Sequence, residues 1–105
     1  MTIDQLRQRI DELDERLVEL LNERAACALR IGEIKQTLGL SIYQPDRESQ
    51  VLGHVREHGA AIKGPLSAAA LTRLFERIID EARRLERESA HTPGHGTPRR
   101  TDEAT

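Results

Sequence analysis

The 105-residue chain is one domain by length, carries a net charge of −2, and is 37% apolar and 32% charged. That balance leaves no apolar run near the ~20 residues of a membrane span. It also argues against a nucleic-acid binder, which shows a basic surplus and stacking rings; Tyr43 and Phe75 are the only aromatic residues. The opening MTIDQLRQR lacks the apolar core of a secretory signal, and the single cysteine, Cys27, allows no internal disulfide. A soluble, cytoplasmic, helix-rich protein is expected.

The first element is a helix from about Ile3 to Leu38, with Thr2 or Asp4 as its cap, Gly32 as its one internal weak point and Gly39 at its end. Its apolar residues recur at spacings of three and four: Ile3, Leu6, Ile10, Leu13, Leu17, Leu20 and Leu21, then Ala28, Ile31 and Ile34. A second helix begins in YQPDRE, where Pro45 fits the first helical position and Asp46 and Glu48 load the first turn with acid. It stops near Gly59, and the linker GAAIKG follows. The third helix starts between Pro65 and Ser67 and is expected to bury Leu71, Leu74, Phe75, Ile78, Ile79, Ala82 and Leu85. From Ser89 the composition turns to Pro, Gly, Ser and Thr, so a helical domain over 1–88 and a disordered tail over 89–105 are expected. No strand pattern occurs, and the fold class is all-α.

Length then constrains assembly. A 36-residue helix extends about 54 Å, whereas a compact chain of ~100 residues has a radius of gyration near 13 Å. The two shorter helices cannot cover the long seam, so an intertwined, two-fold homodimer is expected. A plain coiled-coil dimer is the alternative, but the later seam fills with Ala, Cys and charged residues.

Arg24 occupies a seam position, seven residues after Leu17 and eleven before Lys35. Either step turns the helix only ~20° from register, so both cations share the apolar face. Cations there need anionic partners. Acids from a neighbouring helix would supply them as structural ion pairs; a small ligand with two carboxylates would satisfy both at once. Arg47 and Glu48 stand in the first turn of the second helix, where backbone N–H groups already favour an anion. Arg7 lies about 25 Å from Arg24 along the same helix, so it reaches such a ligand only from another copy of the chain.

The runs LRQRIDELDERLVELLNERAACALRIGEIK, IYQPDRESQVL and LTRLFERII, in this order and spacing, resemble the all-helical class of chorismate mutases over residues 4–88. The resemblance implies an intertwined dimer that rearranges chorismate to prephenate for phenylalanine and tyrosine synthesis, with no metal or other cofactor. It implies that Arg7 reaches across the interface to one substrate carboxylate and that Arg24 pairs with the other. It further implies that Lys35 binds the ether oxygen and a carboxylate, that Arg47 is a further pocket cation, and that Glu48 accepts from the ring hydroxyl. Three positions depart from the pattern: Gln44, where many relatives have aspartate; Ala82, where a serine is frequent; and Glu86, where bacterial relatives carry a glutamine that donates to the ether oxygen. A protonated carboxylic acid donates as glutamine does, so Glu86 is expected to act in its neutral form.

Two other functions fit less closely: an isochorismate-pyruvate lyase with the same cationic pocket, and a regulatory module activated by a partner enzyme of the same pathway. His54 and His58, four apart, are expected on the surface rather than on a metal. Cys27 is expected as a small packing residue, and the arginine pairs at 83–84 and 99–100 as solvated charge, with Arg84 nearest a pocket rim.

Overall fold

Thr2 opens α1 (Ile3–Leu38) with a capping box: its hydroxyl accepts from the Gln5 N–H at 3.1 Å, and the Gln5 side chain accepts from the Thr2 N–H at 2.9 Å. Gly39 ends α1 in the left-handed conformation (φ 72°), which glycine adopts without a Cβ clash. The Leu40 N–H then closes on the Lys35 carbonyl at 2.8 Å. This tight stop ends the helix one turn after Lys35. In the computed structural model, residues 1–41 and 44–90 are described, and they contain two further helices and no strand.

Helix α2 (Pro45–Ala61) starts at the expected proline and runs two residues past Gly59. Helix α3 (Ala68–Ala90) starts one residue after the expected window, because Ser67 is its cap: the Ser67 hydroxyl accepts from the Ala70 N–H at 3.0 Å. Ser89 and Ala90 continue α3 rather than beginning a tail. The rest of the expected tail, residues 91–105, lies outside the described residues, as does Tyr43.

Helix α3 packs against both α1 and α2, which do not pack on each other, so the chain is a flat sheet of helices measuring 52 × 35 × 14 Å. Its radius of gyration, 17.1 Å, exceeds the ~13 Å of a globular chain of this length. A body this thin has almost no interior; among the described residues, Val55 is the one apolar side chain that makes a buried core. The large apolar side chains of the α1 seam, from Ile3 to Ile34, are all exposed, from 38% at Leu13 to 68% at Ile3, while Ala28 is half-buried. Leu74, expected in the core of α3, is also turned outward at 54% exposure. The rest of the expected α3 face is half-buried against its neighbours.

Candidate functional site

Three helix stripes meet at one cavity of about 380 Å³, within the range of small-molecule sites. Helix α1 contributes Arg24, Cys27, Ala28, Ile31 and Lys35, at the three- and four-residue spacing of a single helix face. Helix α2 and its cap contribute Gln44, Arg47, Glu48 and Val51. Helix α3 closes the far side with Ile79, Ala82, Arg83 and Glu86.

Seven of the eight expected site residues therefore line one cavity: Arg24, Lys35, Gln44, Arg47, Glu48, Ala82 and Glu86. Arg7 does not; it is exposed on the first turns of α1. Gln44 caps α2 without a side-chain hydrogen bond to the helix, and its side chain borders the cavity. The first turn of α2 places Arg47 and Glu48 side by side, and Arg47 donates to the Gln50 side chain at 3.4 Å. At Ala82 a methyl group stands where a serine hydroxyl would add a donor.

Glu86 lies against α1 at Gly32. A Cβ placed on Gly32 would lie 3.1 Å from Glu86 Oε2 and 3.4 Å from its Cγ, so the bare glycine backbone is what admits this side chain. Gly32 is buried under it. Burial pushes the Glu86 carboxyl above the usual carboxylate range, and the Lys35 ammonium pulls it part of the way back. The site thus pairs a cation with an acid biased toward its neutral, donating form.

Two lining residues escaped the sequence reading. Arg83, read as solvated charge, is on the cavity wall; its Nη1 lies 3.4 Å from Glu48 Oε2 and its Nη2 2.7 Å from Asp80 Oδ1. Arg84, read as the rim residue, is the exposed member of the pair, with its guanidinium toward Glu81. The signal for Arg83 was its place three residues before Glu86 and four after Ile79, on the same α3 face. Cys27, read as packing, lines the cavity one turn beyond Arg24 and is exposed in the single chain. His54 and His58 are exposed and stack ring on ring, with centroids 6.0 Å apart.

The family model for chorismate mutase type II matches residues 6–87. A bifunctional chorismate mutase/prephenate dehydratase from Pseudomonas aeruginosa is 44% identical over 86 residues, covering 77% of this chain and 23% of that protein. The chain thus spans about a quarter of the length of that bifunctional relative. A 4-amino-4-deoxychorismate mutase from Streptomyces pristinaespiralis is 34% identical over 96 residues, covering 91% of this chain and 73% of that protein. Among solved structures, the chorismate mutase of Helicobacter pylori in complex with prephenate superimposes with a TM-score of 0.75 at 29% identity, over 86% of this chain and 94% of that one. A helical chain whose cavity-lining stripes all fall inside the matched span belongs to the chorismate mutase type II family.

Proposed function

We propose that this chain rearranges chorismate to prephenate in the cytoplasm, as a two-fold dimer in which each cavity receives Arg7 from the partner. The observation that carries the reading is the convergence of Arg24, Lys35, Arg47 and Glu86 on one cavity of small-molecule size.

The chemistry asks for little beyond position and charge. In the rearrangement a C–O bond breaks as a C–C bond forms within one molecule, so neither nucleophile nor redox partner takes part. Arg24 and the partner's Arg7 grip the two carboxylates and hold the reacting ends together. Such positioning supplies up to ~7–11 kcal/mol in favourable systems. Negative charge grows on the ether oxygen as its bond opens. The Lys35 ammonium and the neutral Glu86 acid donate to that oxygen, each donor being worth about 3–4 kcal/mol. Glu48 accepts from the ring hydroxyl, the one donor on a substrate whose carboxylates are ionised. Arg47 adds positive potential beside the N-terminal turn of α2.

Dimerisation is supported by the uncovered α1 seam. Monomeric proteins rarely expose a continuous apolar strip of this extent. The bifunctional relative joins a mutase to a prephenate dehydratase, which makes a partner enzyme of the same pathway part of this reading. The relative named for 4-amino-4-deoxychorismate raises a second substrate, in which an amine replaces the ring hydroxyl.

The test is direct. Purified protein mixed with chorismate should consume it and yield prephenate, and mixed with isochorismate should yield no salicylate. Salicylate formation would reassign the cavity to a lyase. Inactivity alone, with turnover restored by a pathway enzyme, would make the chain a partner-activated module.

A further inference from the structure

We propose that Arg83 is a specificity-determining residue that makes this cavity accept a ring hydroxyl and reject a ring amine at the carbon facing Glu48. The proposal rests on the mutase reading above. It takes up a side chain to which that reading gave no part.

Arg83 lies on α3 within the cavity wall, and its two terminal nitrogens are shared between two acids: Nη1 with Glu48 Oε2 at 3.4 Å, Nη2 with Asp80 Oδ1 at 2.7 Å. The Arg83 and Glu48 side chains are only 23% and 26% exposed, whereas Asp80 is 57% exposed. Asp80 therefore faces water, which screens its charge, and acts as the anchor that turns the guanidinium toward Glu48. On the cavity side the pair presents a carboxylate already neutralised by a cation.

That arrangement treats the two substrate types differently. A carboxylate has about four acceptor positions, so engagement of Oε2 by Arg83 leaves room for a hydroxyl to donate to Glu48. A hydroxyl is neutral and feels little from the nearby guanidinium. An aliphatic amine is protonated at neutral pH, and its ammonium seeks a carboxylate whose charge is not already compensated. Here it would meet a second cation within a salt-bridge length of that same carboxylate. Arginine cannot shed its proton to relieve the conflict, and Arg24, Lys35 and Arg47 in the same cavity add repulsion of the same sign. Rejection of a competitor by like charge is a common route to specificity.

The experiment compares kcat/KM on chorismate and on 4-amino-4-deoxychorismate for the wild type, Arg83→Met and Arg83→Lys, with helicity checked by circular dichroism. The wild type should prefer chorismate. Arg83→Met, which keeps length and removes charge, should narrow that preference by roughly tenfold or more, chiefly through a lower KM for the amine. Arg83→Lys should keep the preference. If Arg83→Met does not fold, Arg83→Gln makes the same comparison. An unchanged ratio in the neutral variant, equal losses on both substrates, or an equal narrowing in Arg83→Lys overturns the role given to Arg83 and leaves the mutase reading intact. A wild type that converts neither substrate overturns both.

Discussion

Gly32→Ala separates the stability of α1 from the placement of its neighbour. Alanine is about 1 kcal/mol more favourable than glycine inside a helix, which in a domain of this size corresponds to roughly 4–8 °C in Tm. The added methyl would lie 3.1 Å from Glu86 Oε2, 3.4 Å from Cγ and 3.7 Å from Cδ. Only the first is clearly tight, and Oε2 is the far end of a flexible side chain, so Glu86 should yield by a few tenths of an ångström while the helix backbone stays in place. The melting temperature should hold or rise. A donor shifted by that distance should lower kcat by roughly three- to tenfold, given that ~1 Å of misplacement can reduce rate a hundredfold. Chorismate disappearance and a thermal melt measure the two quantities on one sample. In a Glu86→Ala background the same substitution should change kcat by less than about twofold, because the group it displaces is gone. A wild-type rate in Gly32→Ala, or an equal drop with and without Glu86, would refute the reasoning.

Lys35→Ala should lower turnover by roughly a hundredfold or more while helicity and assembly persist, as judged by circular dichroism and sedimentation; near-normal kinetics would remove it from the ether oxygen. Glu86 has its pKa raised above the ordinary 4.5, so the folded state holds a proton that the unfolded chain releases, and folding stability drops as pH climbs from that value through the folded pKa. Glu86→Gln should therefore be more stable than the wild type near pH 7, with the difference closing at about pH 4 in denaturant titrations. Wild-type turnover should rise as pH falls from about 8 to 5, while the Gln variant stays flat; identical profiles would count against a neutral acid. Inactive Arg7→Ala and Lys35→Ala chains, mixed and allowed to exchange subunits, should recover about a quarter of wild-type activity, since half the dimers are mixed and each has one intact site. No recovery would place Arg7 and Lys35 in the same chain's site.

Legibility followed the distance over which each feature is decided. The bounds of α1 and the start of α2 depend on neighbours within a turn, on Thr2 with Gln5, Gly39 and Pro45, and they read correctly from the chain. The site stripe on α1 was visible for a related reason: Arg24 and Lys35 interrupt an apolar face, and helix phase alone aligns them. Arg83 was missed because its partner Glu48 is 35 positions away, and in isolation an Arg-Arg pair reads as surface. The contact of Gly32 with Glu86 depends on how closely α1 and α3 approach, which no local pattern encodes. Leu74 was assigned inward by helical period, yet α3 has only two neighbours, and its third face is open in the single chain.

The cavity is assembled from one stripe on each of three helices, and this limits which edits the gene tolerates. One extra residue inserted between positions 24 and 35 would turn everything beyond it by about 100°, swinging Lys35 off the wall and leaving Arg24 where it was. Seven extra residues restore the phase to within ~20° but push Lys35 some 10 Å along the axis from Arg24. Length changes between α2 and α3, in the segment after Ala61, disturb neither register. Insertions and deletions among working homologues should therefore gather in that connection and avoid the second half of α1.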